Sequence, residues 1–162
     1  MLTAFFTIVV VKSCGVKTII IPEELLLESN LIGNQYFKNL LLTIKGEFEK
    51  GKSIIVNSTR LSNQNDNHFT NHNHGLISQR IGVLIAAIIH EVKIKTLVVS
   101  GGDTLLEIMR EISCTSIVPK TEIFPGVALS LAEGNNVPLR LVTKPGGYGE
   151  VDVLIQLINK VK

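Results

Sequence analysis

Chemistry in this chain concentrates in two glycine-rich segments, Ser100-Gly101-Gly102-Asp103-Thr104 and Lys144-Pro145-Gly146-Gly147-Tyr148-Gly149. Each lies between an apolar run and an amphipathic stretch. Thr96-Leu97-Val98-Val99 reads as a buried parallel strand and Leu105 to Ile112 as a helix, so the first glycines fall where strand becomes helix. Glycine at such a corner can take φ > 0 and lets a ligand approach the backbone closely. Unpaired N–H groups at the helix start then face the ligand, and the helix dipole favours negative charge by about 0.3–1 kcal/mol. A polyphosphate suits both properties.

Side chains add to the corners. Asp103 and Thr104 bring a carboxylate and a hydroxyl to the helix start, where they could cap the helix or contact a phosphate-bound Mg²⁺. Lys144 could meet a phosphate as a point charge or simply be solvated. The first corner matches neither the Walker pattern nor the full dinucleotide fingerprint, so its spacing alone leaves a capped helix without ligand as an alternative. The second corner shifts the balance, because both fall at carboxyl ends of expected parallel strands, where open α/β sheets bind ligands.

Other reactive residues are less organised. His68, His72 and His74 could surround a metal ion, but no cysteine or ordered carboxylate joins them, and an ordinary polar loop is the preferred reading, with no metal site. His90 ends an apolar helical stripe, where protonation would suit the helix dipole. No Gly-x-Ser-x-Gly elbow is present, and neither Cys14 nor Cys114 sits in a nucleophile motif. No residue is identified as a catalytic base.

The elements that would position the corners alternate. Val16 to Ile21 reads as a strand closed by Pro22, and Tyr36 or Phe37, Leu40, Leu41, Ile44 and Phe48 recur at helical spacing up to Gly51. A strand, Ser53 to Asn57, follows. From Leu61 to Gly75 the chain is almost purely polar and reads as an exposed loop; Ile77, Ile81, Leu84, Ile85, Ile88 and Ile89 then mark a helix. Beyond the first corner, Cys114 to Val118 is a short apolar run. Ile123 to Leu129 reads as one edge strand interrupted by Pro125-Gly126. Leu139 to Thr143 leads to the second corner, and Val151, Leu154, Ile155, Ile158 and Val161 give a closing helix its buried face. This order predicts a Rossmann-like three-layer α/β domain with a mostly parallel sheet.

Bulk properties narrow the partners. With 162 residues and 45% hydrophobic content, the chain is expected to form a single domain, residues 1–162. A net charge of +2 from 16 basic and 14 acidic residues provides no basic field for nucleic acid. Two distant cysteines suit a reducing, cytoplasmic setting. The apolar start, Ala4 to Val11, lacks a preceding basic residue and is followed by Lys12, which argues against a secretion segment. No apolar run reaches the roughly 20 residues of a spanning helix, so no membrane association is expected.

Three motifs in order, Val98 to Thr104, Glu122-Ile123-Phe124-Pro125-Gly126-Val127 and Val142 to Gly149, resemble the carboxyl-terminal, nucleotide-binding half of the four-carbon acid sugar kinase family. The resemblance runs from about Ile54 to about Leu157. It implies ATP and Mg²⁺ as ligands and phosphorylation of four-carbon sugar acids of the threonate or erythronate type. Gly101, Gly102, Asp103 and Thr104 would match the first nucleotide-binding segment, and Gly146, Gly147 and Gly149 the second, with Lys144 beside it. The family's amino-terminal substrate domain has no counterpart here, nor does the strand with a Gly-Ser corner that opens its nucleotide-binding half. The expectation is therefore an ATP-binding domain that does not catalyse alone and reaches the sugar acid only through a missing domain, as a docking partner or homo-oligomer. Two alternatives are a non-catalytic nucleotide-binding or assembly module and, disfavoured by the absence of Gly-x-Gly-x-x-Gly, an NAD-dependent oxidoreductase domain. By the same resemblance Leu2 to Cys14 would be helical, whereas its β-branched residues favour a strand; both remain open.

Overall fold

The structure is a computed structural model that describes residues 3–12, 15–60, 71–134, 138–145 and 152–161. Along the chain run β1 (Thr3–Val10), β2 (Val16–Pro22), α1 (Glu23–Leu27), α2 (Gln35–Glu49), β3 (Ser53–Arg60) and α3 (Asn71–Val92). They are followed by β4 (Thr96–Ser100), α4 (Gly102–Glu111), β5 (Cys114–Phe124), β6 (Val127–Gly134), β7 (Leu139–Lys144) and α5 (Asp152–Val161). The strands make one sheet in the order β2-β3-β1-β4-β7-β6-β5. β2 is parallel to β3 and β4 to β7, while β1 is antiparallel to both β3 and β4, and β6 to both β7 and β5. Five strands thus point one way, with β1 and β6 reversed.

The ambiguous first segment is a strand, at the centre of the sheet. Ile8, Val9 and Val10 are fully buried because both faces of the sheet are covered there. Ile8 and Val10 join the core under α1 to α4, whereas Val9 and Val11 join the core under α5. A strand covered on both sides needs an unbroken apolar run, and β-branched side chains fit that slot better than a helix. The helix implied by the resemblance does not form over Thr3–Val10; Leu2, Ser13 and Cys14 lie outside the described residues.

Helices take their places through their apolar stripes. In α2, Phe37, Leu40, Ile44 and Phe48 are buried at three- and four-residue spacing, and the Asn34 side chain accepts the Tyr36 N–H at 2.7 Å. Such a cap contributes about 1 kcal/mol. α3 contains an 18-residue window, Gly75–Val92, that by length and composition could cross a membrane. Its Ile77, Ile81, Leu84, Ile85 and Ile88 instead pack into the core with α2 and α4. The first helical layer is therefore α1 to α4, and α5 forms the second on the opposite face.

Pro125-Gly126 does not interrupt one strand; it turns the chain between two. Gly126 has φ of 76°, and its N–H donates to Glu122 Oε1 at 2.8 Å, so β5 and β6 fold back as a hairpin with Phe124 opposite Val127. A positive φ is cheap only for glycine. The edge expectation holds for β5, which ends the sheet.

Candidate functional site

β4 and β7 are neighbours in parallel, with Ser100 opposite Lys144 in register. The helices that follow them leave in opposite directions. Ile108, Met109 and Ile112 carry α4 to the face of α1 to α3, while Leu157, Ile158 and Val161 carry α5 to the other face against Val98 and Val142. Where adjacent parallel strands send their helices to opposite faces, the chain parts and leaves a crevice at their carboxyl ends. The two glycine corners begin at its two sides.

Gly101 joins them. Its N–H donates to the Lys144 carbonyl at 3.4 Å, and its own carbonyl accepts the Leu105 N–H at 3.1 Å as the first bond of α4. At φ of 110° the residue adopts a backbone conformation that L side chains rarely take. The N-cap position of α4 is Gly101, which has no side chain to offer its first N–H groups. The first N–H groups of any helix need acceptors from outside its own backbone. Among the described residues, a Cβ on Gly102 would meet nothing within 4 Å, and one on Gly101 only Thr104 Oγ1 at 3.9 Å.

The remaining predicted residues divide. Asp103 is exposed in the first turn of α4, and Thr104 is buried beneath it. Lys144 is half-buried; its Nζ donates to the Pro145 carbonyl at 3.0 Å, and burial pushes its pKa below the usual 10.5. Gly146, Gly147 and Gly149 lie outside the described residues, as does His68. His72 and His74 fall in the first turn of α3, rather than in a loop. Among the described residues, no group of three or more His, Cys, Asp or Glu could hold a metal ion.

α4 is held in place from behind by α3. A Cβ on Gly82 would lie 2.9 Å from the backbone carbonyl of Glu107, so the two helices touch through the missing side chain. Two polar residues that the sequence reading passed over also sit near this edge. Asn57 and Ser58, on β3, each bury a side-chain oxygen with no hydrogen-bond partner among the described residues. Register places Asn57 opposite Thr7, and Thr7 opposite Ser100, giving a row of polar positions that continues to Lys144. The available signal was the abrupt end of the apolar run Ile54-Ile55-Val56 in Asn57-Ser58.

A family model for the nucleotide-binding C-terminal domain matches residues 11–154, most of the chain. The chain belongs to that family. Over 87 residues it is 31% identical to D-threonate kinase of Bordetella bronchiseptica, covering 53% of this chain and 22% of the kinase. A solved domain of unknown function from the same organism, a domain-swapped dimer with bound citrate, superposes with a TM-score of 0.65 at 20% identity. That match covers 88% of this chain and 34% of the other. A Haemophilus influenzae protein gives a TM-score of 0.64 at 16% identity, over 89% and 34% of the two chains. The family model and the kinase relative place the chain as the C-terminal domain of the four-carbon acid sugar kinase family, and the solved structures share its fold. It spans about a fifth of the curated kinase and a third of the solved structures.

Proposed function

We propose that the crevice between β4 and β7 binds ATP with Mg²⁺, and that the chain provides the nucleotide half of a kinase acting on a four-carbon sugar acid. The observation that carries this reading is the pairing of the corners, with Gly101 N–H on the Lys144 carbonyl where α4 and α5 depart to opposite faces. Gly101 and Gly102 would let phosphate approach the start of α4, and Gly146, Gly147 and Gly149 would supply the second set of phosphate contacts. Lys144 supplies positive charge. The Asp103 carboxylate, exposed in the first turn, and the Thr104 hydroxyl suit a hard cation bound mainly by phosphate and water. The Mg²⁺ would offset charge on the phosphates during transfer.

Phosphoryl transfer depends chiefly on holding acceptor and nucleotide in line. The acceptor seat belongs, in this reading, to a further domain, encoded in the same polypeptide or supplied by a docking chain or second copy in the cytoplasm. Calorimetric titration of the chain with Mg-ATP and with NAD tests it. Saturable ATP binding, lost in Gly101→Val and in Gly147→Val, is expected. Absence of ATP binding at millimolar concentration overturns it, and a preference for NAD points to a dinucleotide domain. ATP binding without phosphorylation of threonate or erythronate, even after the kinase's substrate domain is added, favours a non-catalytic assembly module.

A further inference from the structure

A cavity of about 350 Å³ opens at the opposite edge of the sheet, at the amino ends of β4 and β7. Its walls include Phe48 from the end of α2, Val92 from the end of α3 and Val161 from the end of α5. Four cations, Lys12, Lys93, Lys95 and Arg140, line the same space, and among the described residues no carboxylate does. We infer that this cavity is a second small-molecule site, specific for an oxyanion carrying a compact apolar body.

Helix ends account for only part of the positive charge. Three helices finish at the cavity, each presenting about half a negative charge on its last carbonyls. Lys12 answers one of them: its Nζ donates to the Phe48 carbonyl at 2.9 Å and lies 4.2 Å from the centre of the Phe48 ring. It is also fixed through its backbone, because buried Ser53 Oγ accepts the Lys12 N–H at 2.8 Å and donates to the Lys12 carbonyl at 2.7 Å. Lys93 follows α3 with φ of 49°, a conformation more often given to glycine or asparagine.

Lys95 and Arg140 have no such explanation. The Arg140 N–H donates to the Lys95 carbonyl at 3.0 Å, so these residues sit side by side across the start of two parallel strands. Among the described residues neither side chain has a salt-bridge partner. Like charges on adjacent strands repel. An anionic head between them would relieve that repulsion, while an apolar body filled the space against Phe48, Val92 and Val161. The volume falls at the small end of the range for ligand pockets, about 300–1,000 Å³, which suits an aryl or branched alkyl phosphate or carboxylate.

Titration of phenyl phosphate into the isotope-labelled chain, followed by amide NMR, tests the assignment without reference to ATP. Saturable shifts are expected at Lys12 and from Val92 to Thr96. The double variant Lys95→Gln/Arg140→Gln should weaken binding by at least about tenfold, as loss of a charge-assisted hydrogen bond does. Both changes are at exposed side chains, and an unchanged thermal midpoint will show that the fold persists. Benzyl alcohol, which lacks the charge, and inorganic phosphate, which lacks the apolar body, should each bind about tenfold more weakly than phenyl phosphate. Shifts centred on Gly101 to Leu105, equal binding by the double variant, or equal binding of benzyl alcohol would each overturn the inference. So would the absence of any saturable shift.

Discussion

The two ends of this sheet present positive potential by different means. At the carboxyl edge the donors are backbone N–H groups at the start of α4, exposed because Gly101 and Gly102 present no side chain over them. At the amino edge the helices end, and the electropositive groups are side chains from Lys12, Lys93, Lys95 and Arg140 around apolar walls. One arrangement depends on conformation and the other on charge. Backbone donors survive changes of neighbouring side chain but fail when φ changes; side-chain cations behave the opposite way.

The largest break in the comparison is Gly101→Val. A β-branched residue at φ of 110° carries strain of about 1–3 kcal/mol and turns the first N–H groups of α4 away from the crevice. Mg-ATP affinity, measured by calorimetry, should fall by about a hundredfold or more, equivalent to two charge-assisted hydrogen bonds. Phenyl phosphate binding at the other edge should stay within about twofold of the parent, since independent sites behave additively.

Gly82→Ala reaches the carboxyl edge indirectly. The added methyl would lie 2.9 Å from the Glu107 backbone, which cannot move aside as a side-chain tip could, so α4 must shift relative to α3. Overpacking of this kind costs about 1–3 kcal/mol. Chemical denaturation should show that loss, and ATP affinity should fall with it while the amino-edge cavity is spared. Ser53→Ala is the converse. It removes the hydroxyl that accepts the Lys12 N–H and donates to the Lys12 carbonyl, leaving part-buried backbone groups unpaired at about 1 kcal/mol. Phenyl phosphate binding should weaken, and ATP binding should not.

The difference between the edges also explains what the sequence made legible. Glycine corners are local: strand, Gly-Gly and helix stand within Thr96 to Glu111, and their order predicted parallel strands leading into both corners, which β4 and β7 are. The closing helix and the α2 stripe followed from periodicity in the same way, although in α5 Ile155 is exposed and Leu157 is buried in its stead. β1 was harder, because a β-branched run at one end of the chain carries no record of which neighbours it will pair with or in which direction. Pro125-Gly126 reads as an interruption of one strand because an apolar residue on either side suits a turn as well as a bulge. The amino-edge cavity left no trace at all. Lys12, Phe48, Lys93 and Arg140 are brought together only by the sheet order and by three helices ending at one edge.

Lys144 gives a smaller effect, visible through pH. Burial lowers its pKa, so the folded protein releases this proton more readily than the unfolded chain. Stability linked to this group therefore rises as pH climbs through the lowered pKa toward 10.5. Nucleotide affinity should move the other way, falling over the same window as the positive charge is lost. Lys144→Gln should reduce ATP affinity by several-fold, about the value of one exposed phosphate contact, and abolish that alkaline decline. A decline that persists in the variant would assign it to another group.

The smallest expected change concerns Glu47, one residue before Phe48. Its carboxylate pairs with Lys50 at 2.6 Å and with Lys52 at 2.5 Å. Hydrogen bonds from these two ammonium groups, Lys50 first, hold its pKa at about 2 against an ordinary 4.5. The stabilising contribution is complete above pH 4.5 and is lost as pH falls toward 2, so acid unfolding of Glu47→Gln should be flatter in that window. At neutral pH the variant leaves Lys50 and Lys52 without their counter-charge. Their field then adds to that of the amino-edge cavity. In dilute buffer phenyl phosphate affinity should rise by about twofold, and the gain should vanish near 0.15 M salt, where screening acts over about 8 Å. ATP affinity should not change, because the crevice proposed for it lies at the far ends of the strands, away from Glu47.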